Sequence, residues 1–532
     1  MDIAASKTIK NKLKRTWFPF FSRFGKLTQV QIDTIPYVLS GINVVVESPT
    51  ASGKTEAIVV PVIEDIGFLD KNRLAVLYIV PTRALANDIF LRLEQPLTQL
   101  GLDVTFKHGD NAQLPKKTPH FLITTPESLD SLICRQPKLL SYIKHVILDE
   151  IHLLDNTYRG DQLRVLLKRL EALQKHHKAM IHLLSATIGD SQGLGTRYTY
   201  DFKTVTVKGQ RKINLSYVKN YNELIELAKN NKWHKILCFT NSRKLVESSI
   251  SEIKKLWKPY PVVAHHGNLS KREREGAEKI MKNYEIAICI STSTLEIGID
   301  IGNIDAVVFL EPPPSISAFL QRLGRGNRRK NLTQGVALVA NDTDQKNYNE
   351  MLNIAQSGNL QISNYRSDVS VAVQQMYSIL FQNKNGQTKE YIYKFINLIC
   401  DKNDFIQILE HLVEKGKIEK IGNRYYASTK LMDIAEKGII HSNILDSRDR
   451  QVIEMSTGNK LGTISGFPGE VFLLAGRAWK VFNSNIKSIY VKRYTGPANP
   501  VRFIPHSNTG AYFSDLPLEI QKRELDLLDK KI

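Results

Sequence analysis

The sequence predicts an α/β protein with two tandem, doubly wound parallel sheets, followed by a winged-helix-like unit and a small β-rich unit. Three observations carry this. Short β-branched apolar runs alternate with helical patterns over residues 44–184, and a second series of the same kind spans 235–311. Beyond about residue 345 the alternation stops, and helices, a hairpin and closely spaced strands follow. The chain has 532 residues, more than one hydrophobic core serves, so roughly three or four domains are expected.

The boundaries drawn from these shifts are 1–207 for a first α/β domain with a basic N-terminal arm, 208–345 for a second, 346–430 for a linker and winged-helix-like domain, and 431–532 for a β-rich domain with a terminal helix. Hydrophobic residues at 42% and charged residues at 24% give the balance of a folded chain. The net charge of +20 points to a polyanionic partner, because Lys and Arg gain affinity by releasing counterions from phosphates. The four cysteines (Cys134, Cys238, Cys289, Cys400) are far apart and form no CxxC pair, which signals neither a disulfide framework nor a zinc site and suits a reducing, cytoplasmic setting. No apolar run is long enough to span a membrane. The segment MDIAASKTIKNKLKRTW lacks an apolar core and reads as a solvated basic arm rather than a secretory signal.

In the first domain the runs VVV (44–46), VLYIV (76–80), FLIT (121–124), HVIL (145–148) and IHLL (181–184) are the strands. Parallel sheets bind ligands at the carboxyl ends of their strands, so the polar clusters that follow are where chemistry is sought. The first cluster runs Ser48-Pro49-Thr50-Ala51-Ser52-Gly53-Lys54-Thr55 and opens a helix, the context of a phosphate loop. Gly53 allows the tight turn that, with Ser52, aims backbone N–H groups at ATP phosphates. Lys54 neutralises their oxygens, and Thr55 offers a hydroxyl to Mg2+. Ser48 stands where the usual pattern has its first glycine. The second cluster is Asp149-Glu150-Ile151-His152. At a strand end, Asp149 can hold magnesium while Glu150 polarises the attacking water.

With these two sites in hand, the chain resembles the superfamily two DEAD/DEAH-like helicases, whose motifs it carries in family order. The resemblance implies RecA-like motor domains. It assigns strand contacts to Thr82 and Arg83 in Pro81-Thr82-Arg83-Ala84-Leu85, and to Thr125 and Pro126 in Thr125-Pro126-Glu127-Ser128-Leu129. Ser185-Ala186-Thr187 resembles the motif that couples ATP to the strand, and Gln31 in Phe24-Gly25-Lys26-Leu27-Thr28-Gln29-Val30-Gln31 resembles the adenine reader.

The second domain carries KILCF (235–239), PVVAHHG (261–267), IAICIST (286–292) and AVVFLE (306–311). By the same resemblance Asn241, Ser242 and Arg243 grip the strand, as does Thr292. Gly298 and Asp300 touch the nucleotide, and Arg325 and Arg328 of QRLGRGNR reach the γ-phosphate as arginine fingers. Asn327 replaces the glycine usual before the last arginine. The pair His265-His266 lacks a third ligand at metal-binding spacing.

In the tail, Phe405–Leu412 has helical apolar spacing, and Gly422-Asn423 turns between two β-like runs, which together suggest a winged helix. KLGTISG, EVFLLAG, WKVFN and SIYVKRY suggest a barrel-like or half-barrel domain, ending near residue 513. DEIHLLDNTYRGDQLRVLLKRL, YRSDVSVAVQQM and FLLAGRAWKVF resemble the long-helicase-related (Lhr) subgroup, of which this would be a core-only version translocating on single-stranded DNA. Among the tail aromatics Tyr425, Tyr426, Phe472, Trp479 and Tyr490, core packing is the default. Trp479, between basic residues Arg477 and Lys480, is the first choice for a strand contact. The reading is thus an ATP- and Mg2+-dependent helicase on single-stranded DNA. RNA or a DNA/RNA hybrid remains an alternative substrate, and an ATP-switched subunit of a repair or defence complex an alternative role.

Overall fold

The computed structural model describes residues 3–49, 52–67, 73–109, 115, 117–174, 177–186, 190–207, 212–296, 301–326, 332–357, 365–444, 449–465, 468–485, 487–500 and 510–529. Val44 and Val46 join the core on one face of the first sheet and Val45 the core on the other, and all three are fully buried. A strand covered on both faces gains from being apolar throughout, which is why it reads as a continuous run. The first sheet has seven parallel strands in the order Val104–Lys107, Phe121–Thr124, Val76–Ile79, His145–Leu148, Met180–Ser185, Asn43–Glu47, Phe202–Thr206. The strands that lead into the phosphate loop, the acidic pair and Ser185 are therefore neighbours at the centre. The second sheet has six parallel strands in the order Val262–His265, Ala287–Ser291, Lys235–Phe239, Ala306–Phe309, Leu332–Leu338, Lys212–Val218. Two doubly wound domains follow the expected pattern.

The N-terminal arm departs from expectation. Residues Ile3–Lys12 form a helix that buries Ile9, with Leu13 just beyond it, in the first domain's core. The Thr16 backbone N–H and hydroxyl donate to Glu64 at 2.9 and 2.8 Å, pinning the arm to the helix Lys54–Ile66. Its described lysines are exposed, but Ile9 and Leu13 are not solvated. Charge count hid the i, i+4 pair Ile9/Leu13.

Helices Ser370–Gln382, Lys389–Ile396 and Lys402–Glu414, the hairpin Ile418–Ile421/Arg424–Ala427 and the helix Thr429–Glu436 make the winged-helix unit. It packs on the first motor domain. Residues 370–381 of the helix Ser370–Gln382 are all buried, because it is covered both by its own unit and by the motor helices Pro126–Arg135 and Tyr158–Leu173. Between them lies a buried polar knot. Arg169 donates to Asp130 (3.0 Å), Gln375 (2.8 Å), Ser378 (2.9 Å) and Gln382 (2.9 Å), and Gln374 donates to Asp130 (2.8 Å). Two of the segments that carried the Lhr resemblance, around Arg169 and around Gln374, are the two sides of this seam.

The helix Thr429–Glu436, through Leu431 and Ala435, and the terminal helix Leu518–Asp529, through Ile520 with Leu516 just before it, also belong to the winged-helix core. Arg523 forks onto Asp404 at 3.0 and 2.6 Å. This corrects the 430/431 boundary and the grouping of the terminal helix with the β-rich unit.

The β-rich unit is an open six-stranded sheet, ordered Lys460–Ser465, Asp449–Glu454, Ser488–Arg493, Arg477–Ser484, Val471–Leu474, Asn499–Pro500. It shares one core with the second motor domain, in which Trp479, Phe472 and Ile489 join Ile250 and Val262. The loop after Val262–His265 completes the joint. The Thr463 N–H donates to the Asn268 carbonyl at 2.7 Å, and the Ser270 N–H to the Leu461 carbonyl at 2.9 Å. A Cβ on Gly462 would lie 2.4 Å from that Asn268 oxygen, so only glycine fits there. Fully buried Glu247 accepts from His266 Nε2 (2.9 Å) and from the backbone N–H groups of Ala475 (2.7 Å) and Gly476 (2.8 Å). The tail therefore divides: its helical part is fused to one motor domain and its sheet to the other.

The first seam carries a pH dependence. Burial alone would lower the His441 pKa, but the Asp130 carboxylate 3.7 Å away, together with the Cys134 sulfur, outweighs it and raises the imidazole to about 9. The folded state thus holds this proton more tightly than an unfolded chain, whose value is 6.5. The contribution is whole below the unfolded value and is lost as pH rises through the folded one. It amounts to about 3 kcal/mol. Urea midpoints should fall across that window in the wild type, and the fall should be largely absent in His441→Gln. An equal fall in both would remove His441 from the account.

Candidate nucleotide cleft and strand groove

Gly53 adopts φ 92°, a left-handed conformation that starts the helix Lys54–Ile66 and directs its first N–H groups outward. Ser48, in the place of the usual glycine, donates its hydroxyl to Ser52 at 2.6 Å, tying the two ends of the loop. Lys54 is buried, donates to the Ser185 carbonyl at 2.9 Å and lies 3.8 Å from Glu150. An ammonium has three N–H groups, so a donor remains for a phosphate oxygen. Gln31 is buried against the loop. Its Oε1 accepts from the Thr28 N–H at 2.9 Å and its Nε2 donates to the Gly53 carbonyl at 3.3 Å.

The acidic pair is asymmetric. Burial raises the Asp149 pKa and the neighbouring Glu150 charge adds to it, while the Tyr78 hydroxyl donates to Asp149 at 2.6 Å. Burial would also raise Glu150, but the Lys54 ammonium above all, with Arg325, holds that carboxylate below its ordinary range. Glu150 therefore stays ionised, as a group that polarises water must. Glu150 has φ 45°, a strained turn that brings the acid back toward Lys54.

His152 is the residue whose role the sequence left unassigned. Burial drives its pKa down to about 4, so it is neutral. Its Nδ1 accepts from the Ala186 N–H at 3.3 Å and lies 3.1 Å from the Ser185 hydroxyl. With Nδ1 accepting, Nε2 carries the proton and lies against the side-chain amide of Gln321 in the second motor domain, whose oxygen accepts it when the amide is turned over. One imidazole thus joins the acidic pair, Ser185-Ala186 and the opposite domain. The signal was available as the histidine of Asp149-Glu150-Ile151-His152, but its partners come from distant segments.

On the opposite wall Arg325 is buried and donates to the Glu296 carbonyl at 3.1 and 2.6 Å, and Arg322 donates to the Glu296 carboxylate at 2.6 Å. Arg325 is near enough to Glu150 to help hold it ionised. Arg328, Gly298 and Asp300 lie outside the described residues, as does Thr187.

The first domain's strand motifs come together. Thr82 caps the helix Arg83–Gln99, Pro126 is the first residue of the helix Pro126–Arg135, and Thr125 precedes it. Thr82, Arg83 and Thr125 line a 470 Å³ groove with Lys107, Arg159 and, from beyond the winged-helix unit, Lys437 and His441. Lys437 and His441 have no local sequence signal; only docking of the tail brings them there. In the second domain Ser242 caps the helix Arg243–Leu256, exposed Asn241 donates to the Pro312 carbonyl at 2.8 Å, Arg243 is half-buried, and Thr292 is buried beside the strand Ala287–Ser291.

Trp479 is a correction. It is 0% exposed, and its indole N–H donates to the Leu474 carbonyl at 2.9 Å. It faces the second motor domain, leaving no ring face for a base. Lys480, the next residue, lies on the other side of the pleated strand, where period two puts it, whereas Arg477 shares the face of Trp479 and pairs with Glu273 of the second motor domain at 3.2 Å.

Residues 28–193 match the family model for the DEAD/DEAH box helicase, and 219–330 match that for the helicase conserved C-terminal domain. The ATP-dependent helicase Lhr-Core protein 2 of Thermococcus barophilus is 29% identical over 96% of this chain and 66% of its own length. The Lhr-Core helicase of Methanocaldococcus jannaschii is 29% identical over 98% of this chain and 68% of its own. This chain thus spans about two thirds of the length of these relatives. Helicase Lhr of Mycobacterium smegmatis, solved with single-stranded DNA and AMP-PNP, superimposes with a TM-score of 0.69 at 25% identity, over 81% of this chain and 62% of that one. The DUF1998 helicase MrfA bound to DNA has the same fold, with a TM-score of 0.70 at 23% identity over 91% of this chain and 69% of that one. With both motor models matched in order, and Lhr-Core relatives aligned across motor and tail alike, this chain belongs to the superfamily two DEAD/DEAH-box helicases, on the Lhr branch.

Proposed function

We propose that the chain is an ATP-driven translocase that moves on single-stranded DNA and separates duplexes. The observation that carries this is the His152–Gln321 contact, which links the nucleotide residues of one domain to the other domain while the strand groove lies on the same sheet edge as the nucleotide loop. ATP held by Lys54 and by the N–H groups after Gly53 draws the Arg325 wall inward. Arg325, with Arg328 by motif match, stabilises charge developing on the γ-phosphate. Gln31 has an N–H and a lone pair to spare for the adenine edge. Thr55 and Asp149 supply hydroxyl and carboxylate oxygens, the hard donors that suit magnesium, which neutralises phosphate charge when bound. Glu150 takes the proton side of the attacking water. Loss of the γ-phosphate lets the walls part, and the groove of Thr82, Arg83 and Thr125 shifts against Asn241, Ser242, Arg243 and Thr292.

The single-stranded DNA in the Mycobacterium smegmatis Lhr structure supports DNA over RNA. Four free cysteines suit a reducing cytoplasm, and no helix among the described residues is long and apolar enough to cross a membrane. The test is ATP turnover with single-stranded DNA, duplex DNA and RNA in parallel. The largest stimulation should come from single-stranded DNA, whose affinity should fall with salt by about 0.7 log units per log unit for each phosphate neutralised. Stimulation by RNA alone would make this a remodeller of RNA duplexes. ATP turnover without strand separation on any substrate would favour a switch within a larger complex.

A further inference from the structure

With Trp479 turned inward, the outer face of the β-rich sheet becomes informative. Strands Arg477–Ser484 and Ser488–Arg493 pair antiparallel, with Lys480 opposite Lys492 and Val481 opposite Val491. The register then slips, so that Asn483 faces Tyr490 and Phe482 is the extra, unpaired residue of a β-bulge. Trp479 and Val491 are inward; Lys480 and Lys492 are exposed. Without the bulge, strict alternation places residue 482 beside the lysines and then turns the following residues inward. With it, Phe482 stays on the lysine side and the strand continues exposed through Ser484. Phe482 is 60% exposed, and the Lys492 ammonium sits 4.2 Å from its ring centroid.

An exposed phenylalanine is ordinary by itself. One placed on a bulge, with a cation over its ring and a second in cross-strand register, has the composition of a base platform: an aromatic face for stacking and ammonium groups for the flanking phosphates. The net charge of +20 gives a nucleic acid the complementary sign. We propose that Phe482, with Lys480 and Lys492, stacks a base of a single strand outside the motor groove. This rests on the strand-translocase reading and deepens it. Because the sheet is fused to the second motor domain through Glu247 and Asn268, a base held here travels with that domain. The groove lined by Arg83 and Lys437 travels with the first. The two strand contacts then separate and approach as the nucleotide cleft opens and closes.

The test uses the full chain and a homopolymeric single-stranded DNA oligonucleotide, with the RNA of the same sequence as a second arm, titrated at several salt concentrations. Phe482→Ala should weaken binding about tenfold at every salt concentration, because stacking is not ionic. Phe482→Trp should restore it. Lys480→Ala combined with Lys492→Ala should instead flatten the salt slope by about 1.4. An oligonucleotide carrying bromouracil should photocross-link to the peptide containing residue 482. The side chain is exposed, so the thermal midpoint of Phe482→Ala should match the wild type. Loss on either strand supports the platform and names that strand as its ligand. A wild type that binds while Phe482→Ala binds equally, with no cross-link at the peptide, overturns the platform alone. A wild type that binds neither strand overturns the translocase reading as well.

Discussion

Glu150→Gln should leave ATP bound and lower turnover by about 10²–10⁴-fold, the range that a positioned general base contributes. The glutamine keeps the shape and the backbone of a residue already at φ 45°, but loses the ionised oxygen that Lys54 and Arg325 maintain. ATP affinity should hold or improve, since the negative charge 3.8 Å from Lys54 is gone and the ammonium is freer to serve phosphate. Lys54→Ala should fail differently. It removes a charge-assisted contact worth about 1.5–3 kcal/mol, so affinity falls roughly 10- to 100-fold. It also releases the Ser185 carbonyl, loosening the segment that holds His152. Equilibrium binding of a fluorescent ATP analogue beside single-turnover hydrolysis separates the two. Near-normal turnover in Glu150→Gln would reject the role given to it.

Removing residues 367–532 should cost the motor its solubility as well as its grip. Read along the chain, the tail looks like an attachment after a finished motor, since all the motor motifs precede it. In the fold, its deletion uncovers Val165 and the buried knot of Asp130 and Arg169 on the first motor domain. On the second it uncovers the apolar surface of Ile250, Val262 and Trp257, and strips Glu247 of two backbone donors. Each uncovered large apolar side chain forgoes about 1.5–3 kcal/mol of burial. The truncated chain should aggregate, or bind a hydrophobic dye and melt without a sharp transition. A soluble, cooperatively melting fragment with wild-type ATP turnover would show that the two cores close without the tail.

Sequence alone determined the parallel sheets and singled out the candidate nucleotide residues. Both follow from short-range rules. A strand buried on both faces must be apolar throughout, as Val44, Val45 and Val46 are. A phosphate loop needs glycine, lysine and a hydroxyl within a few residues, as Gly53, Lys54 and Thr55 provide. The winged helix was legible for the same reason, through one periodic helix and the turn at Gly422-Asn423. Tertiary structure decided whatever depends on which surface lies opposite. The N-terminal arm docks because the first motor domain offers Ile9 and Leu13 a core. Trp479 and Phe482 are equally aromatic in the sequence. The one on the inner face meets a motor domain, whereas the other, on the outer face at a bulge, meets solvent. The tail divides between the two motor domains because buried partners such as Glu247 with Ala475, and Arg169 with Ser378, are separated by more than two hundred residues. Local periodicity reports that a face is apolar; it does not carry the identity of the face that covers it.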